Sequence, residues 1–214
     1  MLKIIKYIKL LAQFIKIAFQ QVRFIWKVSE LHHPIITIFG GSRLKSDNIY
    51  ANKAHNLGKN LIDRGISVLT GGGPGVMEAA SCGASHGEKG AKTFGITVKG
   101  LDKLEEVNPC MDGLITTDYF WARKWLLINY SNGYVFFPGG FGTLDELAEV
   151  LTLMQTGNLK FAPVIVIGKE YWEYIEKWSK ESGMANGLIL PENFDFIKFT
   201  DDVDEALKIL IDYL

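Results

Sequence analysis

Cysteine is nearly absent: only Cys82 and Cys110 occur among the 214 residues. They form no paired-cysteine or HExxH spacing, which offers no zinc site and suits a reducing, cytoplasmic setting. Long apolar runs are missing too. Charge-free stretches such as Leu10 to Ile15 fall far short of the roughly 20 residues that a membrane span requires. No small-residue cleavage site follows them, so a secretory signal is not expected. Acidic residues are lacking from positions 1–28, which carry Lys3, Lys6, Lys9, Lys16, Arg23 and Lys27; the formal net charge of −1 therefore leaves −7 on the remainder. An acidic body argues against general nucleic-acid binding. Internal repeats, low-complexity tracts and interdomain linkers are likewise missing.

Hydrophobic residues make up 48% of the chain, enough for one α/β core with an appendage. Two units are expected: an N-terminal basic amphipathic helix within residues 1–33, and a nucleotide-binding catalytic domain over 34–214. In the helix, Ile4, Ile5, Ile8, Leu11, Ile15, Ala18, Val22 and Ile25 fall broadly on one face. Two readings stay open for that face: packing on the body or a partner subunit, or peripheral contact with an anionic membrane surface. His32-His33 reads as a surface pair.

From Pro34 onward strands and helices alternate. Strands are expected at 35–39, 66–69, 93–98, 114–116, 133–137, 163–167 and 194–199. Helices are expected at 48–64, 76–86, 119–131, after Thr143 to 156, 171–180 and 203–214. Trp172, Ile175 and Trp178 are expected to pack in the core. This order predicts an α/β fold with a doubly wound, mostly parallel Rossmann-like sheet of about seven strands.

Three glycine turns follow apolar strands: Phe39-Gly40-Gly41-Ser42-Arg43, Thr70-Gly71-Gly72-Gly73-Pro74-Gly75, and Pro138-Gly139-Gly140-Phe141-Gly142-Thr143. In a doubly wound sheet such strand ends converge on one crevice, so a nucleotide-sized site is expected there. At the third turn Gly140 and Gly142 are placed to take positive φ and admit a ligand. Thr143 and the first helical N–H groups offer donors for an anion. No Lys-Ser or Lys-Thr follows the glycines, so the turn lacks the Walker pattern of NTP hydrolysis. Thr143-x-x-Glu146 also fits a capping box, whose role is to satisfy backbone donors. Glu78 has two readings as well, a ligand contact or a first-turn helix charge.

The Pro138 to Glu146 segment (PGGxGTxxE) and the Arg123-Lys124 pair upstream of it resemble the LOG family, the cytokinin-activating phosphoribohydrolases. The FGGSR turn, Thr70 to Ala80 and Leu151 to Gly157 resemble its longer bacterial branch, and the likeness covers about residues 35–213. The resemblance implies hydrolysis of the N-glycosidic bond of adenine-type nucleoside 5′-monophosphates, AMP or an N6-substituted AMP, to free base and ribose 5-phosphate. It implies no cofactor and no metal. It implies Arg123 and Glu146 as the catalytic pair, with substrate contacts from Lys124, the Gly139–Thr143 backbone, Thr152, the first two turns (Gly41, Ser42, Arg43, Gly72 and Gly73), Glu78, and Glu105 or Glu106. Family members are typically homodimers, and the aromatic helix at Tyr119, Phe120, Trp121 and Trp125 suits an interface. The family's older label, lysine decarboxylase, finds no support in the sequence, where nothing marks a Schiff-base lysine. Phe120-Trp121-Ala122 before Arg123 departs from the family's usual residues, so base preference is not fixed by the resemblance.

A carboxylate beside the anomeric carbon can stabilise oxocarbenium character and activate water. Placed at a helix start, Glu146 is expected to be ionised, which suits a base or electrostatic stabiliser. Arg123 is expected to hold phosphate or ribose oxygens with its planar fork. The alternative is a nucleotide-binding or carrier protein without turnover.

Overall fold

A computed structural model describes residues 2–85, 87, 89–101, 108–194 and 196–214. The chain opens with helix α1 (Leu2–Ser29), and the domain proper begins at strand β1 (Ile35–Phe39). It continues through α2 (Ile49–Ile62), β2 (Ser67–Thr70), α3 (Val76–Gly83), β3 (Thr93–Val98), β4 (Gly113–Thr117) and α4 (Phe120–Asn129). The second half runs β5 (Gly133–Phe136), α5 (Phe141–Gln155), β6 (Val164–Ile167), α6 (Lys169–Trp178), β7 (Ile197–Thr200) and α7 (Val203–Tyr213). A π-helical turn (Ser179–Met184) and a 3-10 turn (Pro191–Asn193) lie between α6 and β7; neither is among the expected elements.

The described strands form one parallel sheet in the order β4-β3-β2-β1-β5-β6-β7, the expected doubly wound, Rossmann-like arrangement. Its central strands are buried throughout because helices cover both faces. Alternate side chains of β1 serve opposite layers: Ile35 and Phe39 join the cluster with α4 and α5, while Ile36 and Ile38 join the one with α2 and α7. Strand order reverses between β1 and β5, which opens a crevice at their C-terminal ends.

Local chemistry sets the helix ends. The Asn48 side chain accepts from the Tyr50 N–H to start α2, and Asp202 accepts from Asp204 and Glu205 to start α7. Gly65, at φ 79°, closes the segment after α2 in the left-handed conformation, where glycine carries no Cβ penalty.

Two expectations are corrected. Cys82 and Cys110 are joined in a disulfide tying α3 to the segment before β4. Trp178 is exposed rather than packed, because Trp172 and Ile175 occupy the inward face of α6. The last turns of α1 pack on the main core, with Phe24 and Val28 buried and Leu31 buried just after the helix, as the first of the two readings for this helix has it.

Candidate active site

The three glycine turns are stitched together by their own backbones. Gly41 N–H donates to Pro138 O at 2.9 Å, and Val76 N–H donates to Gly41 O at 3.2 Å. Gly75 sits at φ 71°, and a Cβ on it would strike the Gly41 carbonyl, so glycine is required there both by conformation and by close approach. The joined turns wall a cavity of about 780 Å³, within the usual range for small-molecule sites. Gly40 to Arg43 and Gly139 to Leu144 line it, with Arg123 and Glu146 in its wall.

α5 begins earlier than the sequence suggests. Its N-cap is Gly140, which offers no side chain, and Thr143 already lies within the helix. Thr143 is therefore not the cap, and the capping-box reading of Thr143 and Glu146 does not describe this helix. The first helical bond runs from Leu144 N–H to Gly140 O. The N–H groups of Phe141, Gly142 and Thr143 thus precede the ladder at the cavity's mouth, where a helix N-terminus favours an anion. Gly140 has φ −86°, and neither it nor Gly142 is among the positive-φ glycines, contrary to expectation. A Cβ at either would meet nothing within 4 Å, so glycine there leaves the backbone open rather than relieving strain.

Glu146 lies about a turn and a half into α5 and is only 6% exposed. Arg123 on α4 reaches it, donating from Nη1 to Glu146 Oε1 at 3.1 Å and from Nε to Ile96 O at 2.9 Å. These two bonds fix the guanidinium against the end of β3. The expected grip on substrate oxygens is corrected to this extent: two edges of the fork already hold protein atoms. Burial pushes the Glu146 carboxyl up to about 7, although Arg123 opposes the rise. The expectation of a plainly ionised carboxylate is corrected with it, since desolvation outweighs the favourable helix end for a group set back from the first turn.

The remaining residues divide. Ser42 and Arg43 line the cavity, as does the Gly139–Thr143 segment. Lys124 faces away, bonded to Asp145 at 2.9 Å and Glu149 at 2.6 Å. Burial works against its charge, but these two bonds outweigh that and hold its pKa above the ordinary lysine value. Thr152 is exposed one helical stretch beyond Glu146, its carbonyl accepting from Thr156 Oγ1. Gly72 and Gly73 are buried, and Gly72 packs against Gly95 and Leu114. Glu78 is half-buried in the first turn of α3 and lies off the cavity wall. Glu105 and Glu106 lie outside the described residues. The sequence reading missed Met77, Leu101, Phe120, Tyr171, Trp172 and Ile175, which also line the cavity. Tyr171 locks onto the third turn by donating from its hydroxyl to Gly139 O at 2.5 Å. Gly71 was missed as a support: a Cβ there would collide with Arg123 Nη2 and stand 2.7 Å from Met77 Sδ. Among the described residues no group of three or more His, Cys, Asp or Glu side chains is arranged to hold a metal.

A parallel sheet whose order reverses at a glycine-walled crevice, with an open helix N-terminus and a buried Glu–Arg pair in one wall, defines a Rossmann-like protein built around a small-ligand site. The profile described as "Possible lysine decarboxylase" matches residues 77–210. The chain belongs to this family, the LOG family. It is 29% identical over 181 residues to a cytokinin riboside 5′-monophosphate phosphoribohydrolase of Arabidopsis thaliana, covering 84% of this chain and 83% of that one. It is 31% identical over 155 residues to the pyrimidine/purine nucleotide 5′-monophosphate nucleosidase of Escherichia coli K12, covering 69% of this chain but only 34% of that protein. Among solved structures, the molybdenum cofactor carrier protein of Chlamydomonas reinhardtii superposes with a TM-score of 0.60 at 25% identity, covering 85% of this chain and 98% of that one. The described cavity wall contains no lysine, so it offers no Schiff-base partner for pyridoxal phosphate, the cofactor that the profile's description implies.

Proposed function

We propose that this protein hydrolyses the N-glycosidic bond of adenine-type nucleoside 5′-monophosphates, AMP or an N6-substituted AMP. The products are free base and ribose 5-phosphate. One observation carries the reading: the α5 N-terminus and the buried Arg123–Glu146 pair open on the same cavity. Along the helix axis they stand roughly 8 Å apart, at 1.5 Å per residue, a span suited to a ribose with its 5′-phosphate at one end and its anomeric carbon near the other.

In this reading the N–H groups of residues 141–143, with Ser42 and Arg43, hold the phosphate. As the bond from the anomeric carbon to the base nitrogen breaks, positive charge spreads over the ribose, and the Glu146 carboxylate stabilises it. The bonding pair leaves with the base nitrogen, which takes a proton from solvent; a water oxygen bonds to the anomeric carbon and passes its proton to Glu146, whose pKa near 7 matches a base working at neutral pH. Arg123 is a positioning residue: it fixes the carboxylate and limits how far burial can raise its pKa.

The named activities of the Arabidopsis and Escherichia coli relatives support this class of reaction. The likeness to the molybdenum cofactor carrier favours a second reading, ligand binding without turnover. Incubation with AMP separates the two: release of adenine and ribose 5-phosphate is expected, and saturable AMP binding with no adenine released would establish the carrier reading.

A further inference from the structure

α1 presents three different faces: one packs on the body, and a basic one touches it through Lys16. Phe24 and Val28 are buried on the body, Ile25 packs against the same core, Ile17, Gln20 and Gln21 are partly covered beside them, and Lys16 holds Asp118 at 3.3 Å. At 100° per residue these contacts other than Lys16 occupy a strip of roughly 140°, from Gln20 to Ile25. Tyr7, Leu11, Phe14, Phe19, Val22 and Trp26 lie on a different arc of roughly 140°, and each is 61 to 75% exposed. Between the two, Lys9, Lys16, Arg23 and Lys27 form a basic flank. The centre of the apolar arc stands roughly 120° from that of the packed strip, so the body meets only its edge, at Ile25.

The composition of these faces selects the occupant. Self-pairing of helices through such an arc would place residues of opposite charge along its margins. α1 has no acidic residue to supply them, and its margins carry Tyr7, Phe14, Phe19 and Trp26. Aromatic side chains beside an unrelieved run of cations fit the boundary between lipid headgroups and acyl chains. Among the described residues no helix is long and apolar enough to cross a membrane. We propose that residues 5–26 of α1 dock this protein on an anionic phospholipid bilayer, lying in the plane of the interface with the catalytic domain held on its aqueous side.

The test is flotation of the full chain with vesicles of phosphatidylcholine containing phosphatidylglycerol, compared with phosphatidylcholine alone. The parent is expected to float with the anionic vesicles. Binding is expected to drop about tenfold or more with neutral vesicles, in Phe14→Ser/Phe19→Ser, and in Lys9→Glu/Arg23→Glu. All four side chains are exposed, so both variants should melt at the parent temperature. Failure of the parent to float would overturn the proposal, as would equal flotation with both lipids or undiminished binding by either variant. If the apolar variant instead converts a larger assembly to a smaller one in light scattering, with no vesicle binding by the parent, the face belongs to a second copy of the chain.

Discussion

Replacing Glu146 by Gln removes a charge while nearly preserving shape. Arg123 keeps its bond to Ile96 O, and the new amide oxygen can accept from Nη1 where Oε1 stood. Loss of the carboxylate should lower adenine release from AMP by roughly 100-fold or more, about 2.7 kcal/mol of transition-state stabilisation, with a smaller effect on AMP affinity. The parent's kcat/KM should rise about tenfold per pH unit toward neutrality and level off above pH 7, where the buried carboxyl has lost its proton. The variant's residual rate should show no such inflection. Stability carries an independent signature. The folded carboxyl titrates at about 7 against an ordinary 4.5, so below pH 4.5 its contribution to stability is fully present, and it is lost as pH rises through 7. The loss approaches about 3 kcal/mol, and the variant should lack it. Steady-state kinetics and thermal melts across that window read both effects. A variant that releases adenine at the parent rate, or a parent profile flat through neutrality, would refute the assignment of Glu146.

Gly71→Ala forces Arg123 off its seat, so kcat should fall roughly 10- to 100-fold with the fold retained, since the clash falls on a side-chain end; an unchanged kcat would remove the positioning role. The Cβ added by Gly140→Val meets no neighbour within 4 Å, so its melting temperature should stay close to the parent's while AMP affinity, measured by calorimetry, falls about tenfold or more. Deleting residues 1–19 should leave the melt nearly unchanged, whereas deleting 1–32 removes the buried Phe24, Val28 and Leu31 and should cost several kcal/mol, on the order of 2 or more per core side chain. The exposed Phe120, Trp121 and Trp125 on α4 are expected to mediate a homodimer, and light scattering that shows only the 24.0 kDa species would count against it.

The sheet was legible because its signals are local. Ile35–Phe39 and Thr93–Val98 are β-rich runs bounded by turn residues, and their ends match the expected strands. The glycine turns were legible for the same reason, and sheet topology then implied their convergence. The pairing of Arg123 with Glu146 was not readable from spacing; it entered through family resemblance, because the two are 23 residues apart with a β-strand between them. Contributions from α6 were hidden for a related reason. Tyr171 and Trp172 look like ordinary helix aromatics, and only the passage from β6 back over the third turn brings them to the cavity. The start of α5 was misplaced by three residues because Thr143 is a better local cap than Gly140. The structure gives up that local preference and leaves the helix end open to a ligand.

The seam between β1 and β5 joins distant parts of the chain: Ile35 N–H donates to Asn132 Oδ1 across 97 residues of sequence. Neither half of the protein can make the crevice alone. Closing so long a loop carries its entropic cost before any contact repays it, so this seam belongs to the slow, cooperative part of folding. A nucleotide seated there therefore reports on the whole domain rather than on a loop. Its binding free energy adds to global stability, and a partly folded chain, or one cut between the halves and separated, has nowhere to put it.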